Sequence, residues 1–173
     1  MMTFPLRLVL VACVLTSSTR VFDRRVVDVA EVGNAHSEAN HGYAGDDVST
    51  GVVDGTPFRQ ARGWMRYALA IFDDTEVTVA LTFVPQAVDD VHVPRRYDVI
   101  VEDSLVASRT FTAQTTTPTV VDIVVPLAIT KGRTSIAVTI RARGGPTPAL
   151  RELRTIQDHN EVDPSPTLFR VTR

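Results

Sequence analysis

From Trp64 to Ile71 the chain alternates, with Met65, Tyr67, Leu69 and Ile71 on every second position. A period of two puts those four side chains on one face of an extended strand. The same rhythm returns at Val77, Val79, Leu81 and Phe83, at Tyr97, Val99 and Val101, at Val121, Ile123 and Val125, and at Ile136, Val138 and Ile140. Arg25–Val29 reads as a first strand and Leu105–Phe111 as a further one. Each row buries one face only, so each needs an opposing layer. The pattern therefore predicts an all-β fold, a sandwich of two antiparallel sheets with at least seven strands. Tyr67, Leu69, Val79, Leu81, Val99, Ile123 and Val138 are its expected core.

Turn chemistry separates these rows. Thr50-Gly51 and Asp54-Gly55 bracket a short apolar strand at Val52-Val53, and Asp73-Asp74 predicts a hairpin between the strands on either side. Glu102-Asp103-Ser104 and Lys131-Gly132 mark two more reversals. No stretch holds a helical period, although Ala149–Gln157, following Pro148, predicts one or two helical turns. The segment from Ser37 to His41 reads as a polar cluster before a glycine-rich turn, with Gly42 and Gly45 breaking any helix.

The chain has 173 residues, room for one domain and a leader. Residues 1–20 resemble an export leader: Arg7 supplies the positive end and Leu8–Leu15 an apolar run too short to span a bilayer. The alternatives are a strand left from an upstream domain, or a lipobox at Leu10–Cys13 through which Cys13 would anchor the protein to lipid. Residues 21–157 are the expected sandwich. Residues 158–173 form a polar tail with Pro164 and Pro166, ending in Leu168–Val171 as an edge strand or an unstructured end. Cys13 is the single cysteine, so no internal disulfide and no thiolate metal cluster can form. A net charge of -2 without a basic block gives no support for nucleic-acid binding. The expected setting is secreted or extracellular, without a membrane span.

The order of short motifs adds a family resemblance. Ser37-Glu38-Ala39-Asn40-His41, the Thr50-Gly51 pair, Phe58-Arg59-Gln60-Ala61 and Gly63-Trp64-Met65-Arg66-Tyr67 follow one another before the first strong strand. Arg96–Asp103, Pro126-Leu127, Thr130-Lys131-Gly132 and Ile136–Ala142 extend the series. Together they resemble the C-terminal accessory β-sandwich domain of β-L-arabinofuranosidase-like glycoside hydrolases (family 127), over about Val27 to Thr155. Glu102-Asp103 replaces the Asp-Gly of that family's hairpin, which implies a different turn geometry. Gly144-Gly145-Pro146 to Leu153 lacks the aromatic of its closing segment. The resemblance implies a jelly-roll, galactose-binding-like sandwich with no catalytic role. In such enzymes the reaction belongs to a separate helical barrel, for which this chain has no room. The implied partners are a plant-type glycan or a glycoside hydrolase catalytic domain. The rivals are a purely structural domain and a small independent glycosidase.

Candidate chemistry is sparse. Glu38 and His41 have the wrong spacing for a helical zinc protease motif; they read as loop-bonding groups or as part of a ligand rim. Related sandwich modules hold a structural calcium with an early glutamate, and by that analogy Glu38, Asp46 and Asp47 are the metal candidates. Trp64 is the one tryptophan and is out of phase with the apolar row of its own strand. An aromatic face left at the surface suits the apolar face of a sugar, and Arg59, Arg62 and Arg66 lie near it with forks suited to hydroxyls or carboxylates. Trp64, Arg59 and Arg66 are thus the expected ligand surface, with Glu38, His41 and the loop to Asp47 as its rim. The paired aspartates at 46–47, 73–74 and 89–90 fall in turns, where aspartate is common for backbone reasons alone. No Gly-x-Ser-x-Gly elbow accompanies the four histidines.

Overall fold

The computed structural model describes residues 23–72, 75–85, 94–112 and 117–159. Nine strands and two short helices follow in the order β1 (Asp23–Glu31), α1 (Ala35–Asn40), β2 (Ala44–Val53), β3 (Thr56–Ala70), β4 (Val77–Phe83), β5 (Arg95–Val101), β6 (Ser104–Phe111), β7 (Thr119–Val125), α2 (Leu127–Thr130), β8 (Ser135–Ala142) and β9 (Leu150–His159). All pairings are antiparallel. One leaf runs β1-β9-β4-β7 and the other β2-β3-β8-β5-β6. A single bridge, Arg59 opposite Leu150, joins the two leaves into one nearly closed sheet.

The inward rows meet between the leaves as the alternation requires. All seven expected core residues are buried, together with Met65, Phe83, Tyr97, Ile136, Ile140 and Leu153. Phe83 packs edge-on against Tyr97, with ring centroids 5.6 Å apart, and against Phe111 at 5.1 Å. Burial pushes the Tyr97 hydroxyl up to about 12, so the ring serves as packing. At the β2 edge the Phe58 ring covers Gly51, where a Cβ would lie 2.3 Å from it. Thr50-Gly51 is therefore paired strand and not a turn.

Five other expectations are corrected. Ala149–Gln157 forms β9, the second strand of its leaf, and not helical turns. Its inward positions after Leu153 are polar, which hides the alternation: Thr155 Oγ1 donates to the Ala70 carbonyl at 2.7 Å, and the Gln157 amide bonds both the N–H and the carbonyl of Phe72. β3 and β4 make no hairpin, because they lie in different leaves; Asp73-Asp74 is outside the described residues. β4 is buried on both faces, since its outward Thr78, Ala80 and Thr82 are small and flanked by longer neighbours. The Glu102-Asp103 turn keeps the geometry that Asp-Gly would adopt, with φ of 48° and 64°; the turn type follows the two-residue connection of β5 to β6. The polar cluster at Ala35–Asn40 is helical, with the Asn34 side chain accepting from the N–H groups of His36 and Ser37. It stops before Gly42, whose φ is +53°. The expected segment Leu168–Val171 lies outside the described residues.

Candidate functional site

Helix α1 closes one end of the sandwich and carries Glu38 inward. Glu38 is buried beneath the helix and meets Arg59 as a fork, Nε to Oε1 at 2.6 Å and one terminal nitrogen to Oε2 at 2.7 Å. The Gly33 N–H donates to Oε1 at 2.8 Å and the Tyr67 hydroxyl lies 3.4 Å from the same oxygen. Burial alone would raise the Glu38 carboxyl, but the hydrogen bonds from Arg59 and Gly33 outweigh it and hold the pKa below its ordinary value. The Arg59 guanidinium also covers the Tyr43 ring at 4.5 Å. Buried beside these charges, the Tyr67 hydroxyl is pushed well above its usual range. His41 donates from Nδ1 to the Ser37 carbonyl at 2.6 Å, and its Nε2 lies 3.2 Å from Asp28 Oδ1. Asp28 in turn accepts from the Ala70 N–H at 2.7 Å. Every group here is satisfied by another group of the chain. The cluster is a clamp tying α1 to β1 and β3.

The outer face of the second leaf is built differently. The register aligns Asp46, Trp64, Arg141, Asp98 and Ser108 in one row across β2, β3, β8, β5 and β6. Trp64 is half-buried and Arg66, two residues on, is exposed on the same face. At Gly63 a Cβ would sit 2.7 Å from the Asp46 carbonyl and 2.8 Å from its carboxylate, so only glycine lets β2 close on β3 beside the tryptophan. Asp98 is buried and accepts from Ser108 Oγ at 2.6 Å, from Arg141 at 3.0 Å and from Arg143 at 3.4 Å. Its burial would raise the carboxyl; the Ser108 hydroxyl and the two guanidinium groups lower it instead. The arginines stay open to solvent, with side-chain exposures of 53% and 55%. Next to Arg143 a hollow of about 200 Å³ is lined by Arg96, Gly144, Gly145 and Pro146.

The structure thus separates the residues expected to act together. Arg59 belongs to the inward row with Ala61, Met65 and Tyr67, whereas Trp64 and Arg66 point out. Glu38 and His41 stand at the clamp. Asp46 and Asp47 are exposed on β2 at a bulge, where Asp47 has φ of 47°. Glu38 does not fit the calcium role expected of it, because the guanidinium and the Gly33 N–H already occupy its oxygens. Among the described residues no three His, Cys, Asp or Glu side chains gather as a metal would require. Asp98, Arg141, Arg143 and Asp28 were missed by the sequence reading. Their roles depend on cross-strand register, which one strand's alternation does not contain. No described helix is long and apolar enough to cross a membrane.

Known folds agree with this architecture. A family 35 carbohydrate-binding module from Clostridium thermocellum is similar in structure, with a TM-score of 0.55 and 11% identity over 77% of this chain and 97% of that one. A family 35 module from an environmental isolate gives 0.53 and 19%, over 76% and 96%. A 4-O-methyl-α-glucuronidase of family GH115, with specificity for decorated arabinogalactans, contains a similar region: TM-score 0.53 and 14% identity over 77% of this chain but only 18% of the enzyme. At such identities the likeness establishes the jelly-roll β-sandwich and nothing finer. No curated protein sequence matches the chain. The sequence itself, over residues 21–156, matches a family of unknown function, DUF6805, and the chain belongs to that family.

Proposed function

We propose that this protein is a non-catalytic, carbohydrate-associated module that binds glycan through the outer face of its second leaf. The observation that carries the reading is Trp64: a large ring set out of phase with its strand's core row, partly exposed, in register with Arg141 and beside Arg66. The ring offers a stacking surface and the forks offer donors for hydroxyls. The similar solved structures named as carbohydrate-binding modules, and the similar region inside a glucuronidase, support the class. The motif order from Ser37 to Tyr67 supports a setting like that of the family-127 accessory domain, and the apolar run at Leu8–Leu15 supports export. Of the expected ligand set, Trp64 and Arg66 remain in the site. Arg59, Glu38 and His41 act below it as the clamp.

The outer face of the first leaf suits the other expected role, packing on a catalytic partner. Val26 and Val124 flank Ile156 and Thr78 in one row, and Val120 lies four residues along β7, beyond Asp122; all three valines are at least half exposed.

Trp64 is the single tryptophan and reports directly. Titration with arabinose-rich oligosaccharides should change its fluorescence with a Kd of about 0.1–1 mM, since one ring and two forks bury little area. Trp64→Ala should abolish binding measured by calorimetry. Full binding by that variant would refute the site.

A further inference from the structure

The outer face of the second leaf differs in charge from the chain as a whole. On or beside β2, β3, β8 and β5 it carries Arg62, Arg66, Arg96, Arg141 and Arg143, against Asp46, Asp98 and, at the β2 bulge, Asp47. The whole chain has a net charge of -2. Asp98, one of these anions, is buried under the arginines, its oxygens taken by Ser108, Arg141 and Arg143. What reaches solvent is therefore the donor side of the guanidinium groups. Arg141 spends one terminal nitrogen on Asp98, which fixes the fork while leaving further N–H groups outward. Trp64 is the cross-strand partner of Arg141, and directly opposed side chains lie about 5 Å apart at Cβ. Arg143 is one strand over and two residues along, about 8 Å from Trp64 by strand geometry, and there the hollow of about 200 Å³ opens between Arg96, Arg143 and the two glycines.

We infer that this face selects carboxylate-bearing glycans: one sugar stacks on Trp64, and the carboxylates of that unit and its neighbour are held by Arg66, Arg141 and the Arg96–Arg143 hollow. This rests on the glycan reading above and names its ligand class. A neutral sugar would leave the guanidinium groups with water as partner, whereas a uronate supplies the acceptor that suits a planar fork. Asp98 acts as a positioning residue, presenting two forks in fixed directions.

The test compares, on the full chain at 0.15 M salt, polygalacturonate with the same polymer after its carboxyl groups are reduced to alcohols. Wild type should favour the acid form about tenfold, the low end for one charge-assisted hydrogen bond. Arg66→Gln, at an exposed position outside the Asp98 network, should lose most of that preference while keeping its melting temperature. Arg141→Gln should lose the preference too, with a lower melting temperature because buried Asp98 gives up one partner, and Trp64→Ala should weaken both polymers. Equal binding of the two polymers, still dependent on Trp64, would overturn the inference and leave the glycan reading standing. Equal binding of polygalacturonate, dextran sulfate and a DNA duplex would overturn it as simple polyanion attraction. Binding of neither polymer nor any neutral arabinan would remove both readings.

Discussion

Two side-chain arrangements carry most of the meaning at the scale of single residues. Glu38 and Arg59 form a buried pair in which each removes the cost of the other. Arg59→Met should destabilise the protein by about 3–5 kcal/mol, because it strands a buried carboxylate, and Glu38→Gln added to it should recover a good part of that loss in urea denaturation. Leu81→Ala, at a fully buried position of β4, should cost about 2–5 kcal/mol; a melting point within a degree or two of wild type would contradict the core assignment. Acid sensitivity follows from the same carboxyls. Asp28, Glu38 and Asp98 all have folded-state pKa values below their ordinary ones. The unfolded chain therefore takes up protons first as pH falls, so their stabilisation is whole above about pH 5 and is lost as pH drops below about 4. On the acid side, a pH series of chemical denaturation should show these carboxyls' contribution intact above about pH 5 and declining below about pH 4. Sequence alone made Trp64 conspicuous through its phase. It also put Arg59 in the wrong company, because Arg59 and Trp64 lie on opposite faces of one strand, and nothing in composition says which arginine finds a buried acid.

The alternating strands were legible element by element, since a period of two with aliphatic inward positions has no competing explanation. β9 was not, because Thr155 and Gln157 sit inward for hydrogen bonds to the end of β3 and to Phe72 just beyond it, while Ile156 faces out. Read by hydrophobicity, that strand is inverted. α1 was also hidden: one and a half turns need no amphipathic period, only the Asn34 cap and the buried Glu38. The Glu102-Asp103 turn tests another element-level point. Both residues hold a left-handed conformation that costs an L side chain more than glycine. Glu102 compensates, accepting from the Ala137 N–H at 2.8 Å and pairing with Arg133 at 3.2 Å. Asp103 has no such role, so Asp103→Gly should raise stability by a few tenths to about 1 kcal/mol, while Glu102→Gly should not. Thermal melts of the two variants decide this.

For the molecule as a whole, the two leaves present unlike surfaces: on one, exposed Val26, Val120 and Val124 lie among Asp122 and the Glu152–Arg154 pair; on the other, arginines surround Trp64. That asymmetry suits the proposed role, and sequence could not reveal it, because each face is assembled from four or five separate strands. The topology has a further consequence for how the protein comes into being. β9 is the last of the described strands, yet it lies between β1 and β4 and carries the bridge to β3. Until it arrives, the first and fourth strands share no edge, and the inner surface of that leaf has no centre. A nascent chain must therefore wait, its valines unsheltered, until residues near 157 have left the ribosome, and the whole module then closes at once. A fragment ending at Pro148 should show no cooperative melt, and a synthetic peptide covering Ala149–His159 should restore one by slotting into the gap left for it.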